Sequence, residues 1–137
     1  MIIKGDSYSD QRGTLRFVND FHFKGIKRFY TITHPDTTTL RAWQGHKIET
    51  KYFFVTKGRF LVGWVTIDQW DHPSHELPVN KQELSAEMPQ ILTISPGNAN
   101  GFKALEPDST MVIFSDLSIE ESSKDMYRFE TNYWILD

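Results

Sequence analysis

The chain has 137 residues, a net charge of −3 and no cysteine. That length suits one domain, spanning 1–137, with a real core, and the missing cysteines exclude a disulfide framework, thiolate metal ligands and a cysteine nucleophile. No basic tract invites nucleic acid, and no segment approaches the ~20 apolar residues of a membrane span.

Residues 1–13 hold no apolar run of signal-peptide length, so the expected setting is cytoplasmic. Asp10-Gln11-Arg12-Gly13 reads as a turn leading into a strand over Leu15–Asn19. Gly25–Thr33 is rich in β-branched and aromatic residues and reads as the next strand. Leu40–Lys47 begins a strand that carries Arg41, Trp43, Gln44 and His46 close together. Lys51–Thr56 and Arg59–Ile67 flank Lys57-Gly58, a hairpin signal. In Arg59–Ile67, Phe60, Val62 and Trp64 share one face while Leu61, Gly63 and Val65 share the other; both faces are apolar, as in a sandwich or barrel wall.

Asp71-His72-Pro73-Ser74-His75-Glu76 reads as a solvated loop. Ile91–Ile94, Gly101–Leu105 and Met111–Ser115 are further strands, separated by Ser95-Pro96-Gly97 and Glu106-Pro107-Asp108 turns. One short helix is expected near the C-terminus, around Ser118–Lys124, where Ser118 and Glu121 form a capping-box pattern. With aromatics at 14% and many short strands between turns, the fold class is all-β, a sandwich or barrel.

Several motifs then combine in order. Asp10-Gln11-Arg12-Gly13 resembles the D-x-R-G of the dTDP-4-dehydrorhamnose 3,5-epimerase family and of the related sugar-nucleotide 3,4-ketoisomerases. Ile26-Lys27-Arg28-Phe29-Tyr30 and Arg41-Ala42-Trp43-Gln44-Gly45-His46-Lys47 are similar to ketoisomerase strands. Ile94 to Phe102 resembles an epimerase motif, and Phe114 to Arg128 a ketoisomerase C-terminal segment. The resemblance implies a double-stranded β-helix (a cupin jelly roll), a homodimer, and a nucleotide-linked 4-keto-6-deoxy sugar handled without metal or other cofactor. It also implies that Arg12 and Arg41 meet the nucleotide diphosphate, and that Lys51 sits near the sugar carbonyl.

Shifting a proton beside a carbonyl needs a base, an acid and positive charge near the enolate oxygen. His46 is the first candidate base, since imidazole titrates near neutral pH; its bland alternative is a histidine satisfied on a strand face. Tyr30 is a candidate acid, or a strand aromatic with a wet hydroxyl. Gln44 and Asn100 replace histidines of the resembled motifs and can bind but not titrate. Arg12, Arg28, Arg41 and Lys51 are candidate anion binders, or solvated charges. Strand parity puts Lys51 on the face opposite His46 unless a bulge intervenes. Trp43 is the best stacking candidate, Trp64 a core residue, His22 and His34 strand-edge or turn residues, and Asp125 with Arg128 a surface pair. No metal is expected, because Gln44, His46, Glu49 and Asn100 offer one good ligand and one carboxylate. Three functions stay open: an isomerase or epimerase of a nucleotide-linked keto sugar, a non-catalytic cupin binding a sugar nucleotide or sugar, and a metal-dependent cupin enzyme.

Overall fold

The structure, a computed structural model, describes residues 1–137. The chain forms twelve strands and one short helix. They run β1 (Ile2–Lys4), β2 (Asp6–Asp10), β3 (Gly13–Phe17), β4 (Arg28–His34), β5 (Leu40–His46), β6 (Lys51–Lys57), β7 (Arg59–Thr66), β8 (Asn80–Ser85), β9 (Gln90–Ile94), β10 (Asn98–Ala104), β11 (Ser109–Ser115), α1 (Ile119–Ser123) and β12 (Tyr127–Arg128). Ten strands make two five-stranded antiparallel sheets, β1-β9-β6-β11-β4 and β12-β5-β10-β7-β8. β2 and β3 form a separate hairpin around the Asp10–Gly13 turn. From β4 to β12 consecutive strands alternate between the two sheets, except that β7 and β8 pair within one, which is jelly-roll topology.

That alternation corrects one reading. Lys57-Gly58 is not a hairpin turn, because β6 and β7 lie in different sheets. Gly58 has φ of +73°, and a Cβ there would meet Ser109 Oγ. The chain turns a tight corner across the end of the barrel, and only glycine fits. Ser109 Oγ accepts the Arg59 N–H at 3.1 Å and donates to the Glu106 carbonyl at 2.8 Å, so this corner and the β10–β11 turn brace each other.

The sheets face each other over Phe53, Val55, Phe60, Val62, Leu84, Leu92, Phe102, Met111 and Ile113. The alternation along β7 holds: Phe60, Val62 and Trp64 meet this inner core, while Leu61 and Val65 face outward. The outward face is apolar because it is covered too. Trp134 and Leu136 of the C-terminal tail pack on Trp43, Val65 and Ala99. Gly63 admits the tail, for a Cβ there would lie 2.6 Å from Leu136 Cδ1.

Candidate functional site

Between β4 and β6 of one sheet and β5 and β10 of the other lies a cavity of about 530 Å³. Its walls include Arg28, Tyr30, Arg41, Gln44, Lys51 and Asn100, six of the residues singled out from sequence. α1 and the segment that follows it close one side, through Ile119, Ser122, Met126, Arg128 and Phe129.

The pleat explains most of this convergence. On β4 the inward positions are Arg28, Tyr30 and Ile32; on β10 they are Asn100 and Phe102. β5 pairs with β10 through Asn98↔His46 and Asn100↔Gln44, and then the register slips so that Gly101 faces Ala42. Trp43 is the extra residue of this bulge. The slip brings Arg41 to the cavity three residues from Gln44, which regular alternation forbids. Lys51 also turns inward, but not through a bulge. It begins β6 in the other sheet, after the chain has crossed the barrel at residues 47–50, so strand parity from His46 does not apply. Lys51 is 5% exposed; its Nζ donates to Gln44 Oε1 at 3.3 Å and lies 5.7 Å from the Tyr30 ring centre.

Three expectations change. Arg12 does not reach the cavity: it sits on the β2–β3 hairpin, largely exposed and paired with Asp10 at 2.7 Å. Trp43 borders the cavity, but its indole is committed elsewhere. It donates to the Trp134 carbonyl at 3.1 Å and packs edge-on against that ring, so it is not free to stack on a ligand. Asp125 is no surface residue. It is 2% exposed, and its carboxylate accepts the backbone N–H groups of Lys47, Ile48 and Glu49 at 2.8–2.9 Å, fixing the crossover between β5 and β6.

His46 lies behind the cavity wall. It is 2% exposed and does not line the cavity. Its Nδ1 is 2.7 Å from the Asp125 carbonyl and 3.1 Å from Glu49 Oε1. A carbonyl only accepts, so Nδ1 carries the proton and Nε2 the lone pair. Nε2 has no partner. Burial, and next the positive charge of Lys51, hold the imidazole below its ordinary pKa, against the pull of Glu49 and Asp125. Its Nδ1 lies within hydrogen-bond reach of the Glu49 carboxylate.

Glu49 was noted from sequence only as a possible metal ligand, and the structure gives it a different place. Its carboxylate is fully buried. Oε1 accepts from Ser122 Oγ at 2.8 Å and faces His46 Nδ1; Oε2 accepts from Ser115 Oγ and from Arg28 Nη2 at 3.3 Å. Arg28 Nη2 also donates to Ser122 Oγ at 3.1 Å. The signal available in sequence was weak. Ser115 closes an apolar strand at an inward position, and a serine there needs a buried partner. His46, Glu49 and Asp125 bring donor atoms within 4.8 Å of one another, a spacing that a cation could use. Their oxygens already serve the protein donors named above.

Neither a protein-family model nor a curated protein matches the chain. Solved structures do. A dTDP-4-dehydrorhamnose 3,5-epimerase from Sulfolobus tokodaii is 25% identical, with a TM-score of 0.76 over 96% of this chain and 77% of that one. The dTDP-6-deoxy-D-glucose-3,5-epimerase of Legionella pneumophila, solved with dTDP-4-keto-L-rhamnose, is 17% identical, with a TM-score of 0.75 over 94% and 71%. A sugar 3,4-ketoisomerase from Thermoanaerobacterium thermosaccharolyticum, solved with TDP, is 18% identical, with a TM-score of 0.69 over 97% and 90%. The chain therefore has the cupin jelly-roll fold of the nucleotide-sugar epimerases and ketoisomerases, nearly end to end.

Proposed function

We propose that this protein is an isomerase or epimerase of a nucleotide-linked 4-keto-6-deoxy sugar, moving a proton beside the carbonyl in surface polysaccharide synthesis. The observation that carries the reading is a cavity lined by Arg28, Arg41, Arg128 and Lys51 in this particular fold. Guanidinium forks suit the oxygens of a diphosphate, and Arg28 and Arg41 enter from two different sheets. Lys51 supplies positive charge for an enolate oxygen, in a site where burial strengthens it. Gln44 holds the Lys51 ammonium and leaves it aimed at the cavity. Tyr30 and Lys51 line the cavity, and in this reading they pass the proton. His46 stands behind them, its pKa lowered chiefly by burial and its Nε2 without a partner. The reading is metal-independent, because the carboxylates nearest His46 are engaged by serines, Arg28 and backbone N–H groups.

The same proposal includes a homodimer working in the cytoplasm. The dimer is supported by an apolar patch on the outer face of the β4–β11–β6 sheet: Phe23 and Phe29 are 63% and 68% exposed and cluster with Phe114. Isolated exposed apolar residues are ordinary, but a contiguous aromatic patch marks an interface.

One observation favours a second reading, a cupin that binds a nucleotide sugar without changing it. Gln44 and Asn100 cannot titrate, and His46 is off the cavity wall. Incubation with a dTDP-4-keto-6-deoxy sugar in D2O separates the two. Deuterium at the carbons beside the carbonyl is expected; bound substrate without deuterium leaves the binding role. If no nucleotide sugar raises the melting temperature, both readings fall.

A further inference from the structure

Glu49 joins the cavity to everything around it, and no role in chemistry or binding has been attached to it. It is a carboxylate with no exposed surface, held by donors from four places: Arg28 on β4, Ser115 on β11, Ser122 on α1 and His46 at the end of β5. Burying a charge is costly, and removing one member of such a set leaves its partners stranded. Two of the four donors, Arg28 and Ser122, line the cavity itself. The Arg28 guanidinium is further confined, 4.8 Å over the Tyr30 ring, with Nη2 shared between Glu49 and Ser122.

We propose that Glu49 is a positioning residue. Its carboxylate fixes the Arg28 fork at the cavity wall for the oxyanions of a diphosphate, ties the α1 wall to the barrel through Ser122, and holds the His46 ring by its Nδ1. This deepens the nucleotide-sugar reading and rests on it for the identity of the substrate. Anion binding itself is testable without that reading. Of these three ties only the one to Arg28 bears on the anion, so the worth of Glu49 to an anion vanishes once Arg28 is gone.

The experiment is a double-mutant cycle on the full chain, titrating inorganic pyrophosphate into wild type, Arg28→Ala, Glu49→Gln and the double variant by calorimetry. Arg28→Ala is expected to weaken binding about tenfold, the low end for a charge-assisted contact, and Glu49→Gln, which acts at one remove, about fivefold, with the double variant no weaker than Arg28→Ala alone. Additive losses overturn the proposal, as does a gain in affinity in Glu49→Gln, which would make Glu49 a competitor of the anion. Absence of pyrophosphate binding in wild type overturns it as well. If Glu49→Gln lacks native near-ultraviolet dichroism, Ser122→Ala takes its place: weaker binding with the same non-additivity supports the proposal, and full affinity overturns it. With the keto sugar in D2O, Glu49→Gln is expected to raise KM more than it lowers kcat. A wild type that binds pyrophosphate but exchanges no deuterium sinks the isomerase reading, while the cycle still decides Glu49.

Discussion

At one end of the barrel interior the inward side chains are Phe53, Val55, Phe60, Val62, Met111 and Ile113, none more than 2% exposed. At the other end, several of the same strands present Lys51, Ser115, Asn98, Asn100 and Arg28. β6 passes from Lys51 to Phe53 in one step of the pleat, and β10 from Asn100 to Phe102. The apolar end sets the register, since a slip of one residue would expose it. The polar end inherits that register and uses it to aim charges. Stability and chemistry are thus separated along each strand rather than between strands.

The sharpest way to break this contrast is to remove volume at the apolar end. Phe53→Ala takes a ring with no exposed surface from the centre of the core. It is expected to cost about 3–5 kcal/mol by chemical denaturation. A loss under about 1 kcal/mol would mean that the polar end, not the apolar one, holds the sheets together.

The two ends each hold a buried histidine, and pH addresses both. His34 closes β4 at the apolar end, 3% exposed, against Phe60 and Phe102, with neither ring nitrogen partnered. Burial, then Arg41, hold its pKa below 6.5, against Asp36. His46 is likewise lowered. In both, the unfolded chain takes up a proton that the folded chain refuses. Stability is therefore full above pH 6.5 and falls as pH drops below it, by about 1.4 kcal/mol per pH unit for each fully excluded proton. The melting temperature should fall from pH 7 to pH 5.5, and His34→Gln should remove part of that fall. A flat profile in wild type contradicts the burial of both rings.

Lys51→Met reverses the sign expected at the apolar end. The ammonium is buried with only the Gln44 amide as hydrogen-bond partner, so an apolar side chain of similar length should raise stability by about 1 kcal/mol. Deuterium exchange into the keto sugar should drop about 100-fold. Lost stability together with unchanged exchange would place Lys51 in the scaffold rather than the site.

How much of this was legible in the sequence follows from the same separation. Period-two alternation in Arg59–Ile67 and the β-branched and aromatic run Gly25–Thr33 give strands and faces directly, because the pleat is local. The capping box at Ser118 and Glu121 is present as read. What stayed hidden depends on crossings between sheets. Lys57-Gly58 looks like a hairpin because a tight corner and a hairpin use the same residues. Parity from His46 to Lys51 misleads because the chain changes sheets at residues 47–50. Asp125 and Glu49 were unreadable for a related reason: apart from the His46–Glu49 contact, their partners lie 21–78 residues away, and nothing in spacing announces them. Trp43 reads as a ligand platform until the C-terminal tail is seen to claim its indole.

The smallest expected effect concerns the α1 wall that the polar end depends on. Glu121 accepts the Ser118 N–H at 3.0 Å and the Lys27 ammonium at 2.9 Å, and these contacts lower its pKa from 4.5 to about 2. The group's stabilisation is present above pH 4.5 and is lost as pH falls toward 2, because protonation removes the charge that both donors seek. The side chain is exposed, so the consequence should be local fraying rather than unfolding. Amide exchange in Ser122 and Ser123, compared at pH 5 and pH 3 after correction for intrinsic rates, should speed up at the lower pH. Glu121→Gln keeps an acceptor for Ser118 but carries no charge, so its exchange should be faster at pH 5 and should change little between the two. If α1 exchanges equally in both proteins at both values, the wall is held by the Ser122–Glu49 hydrogen bond alone, and the carboxylate inside the barrel outranks the one at its surface.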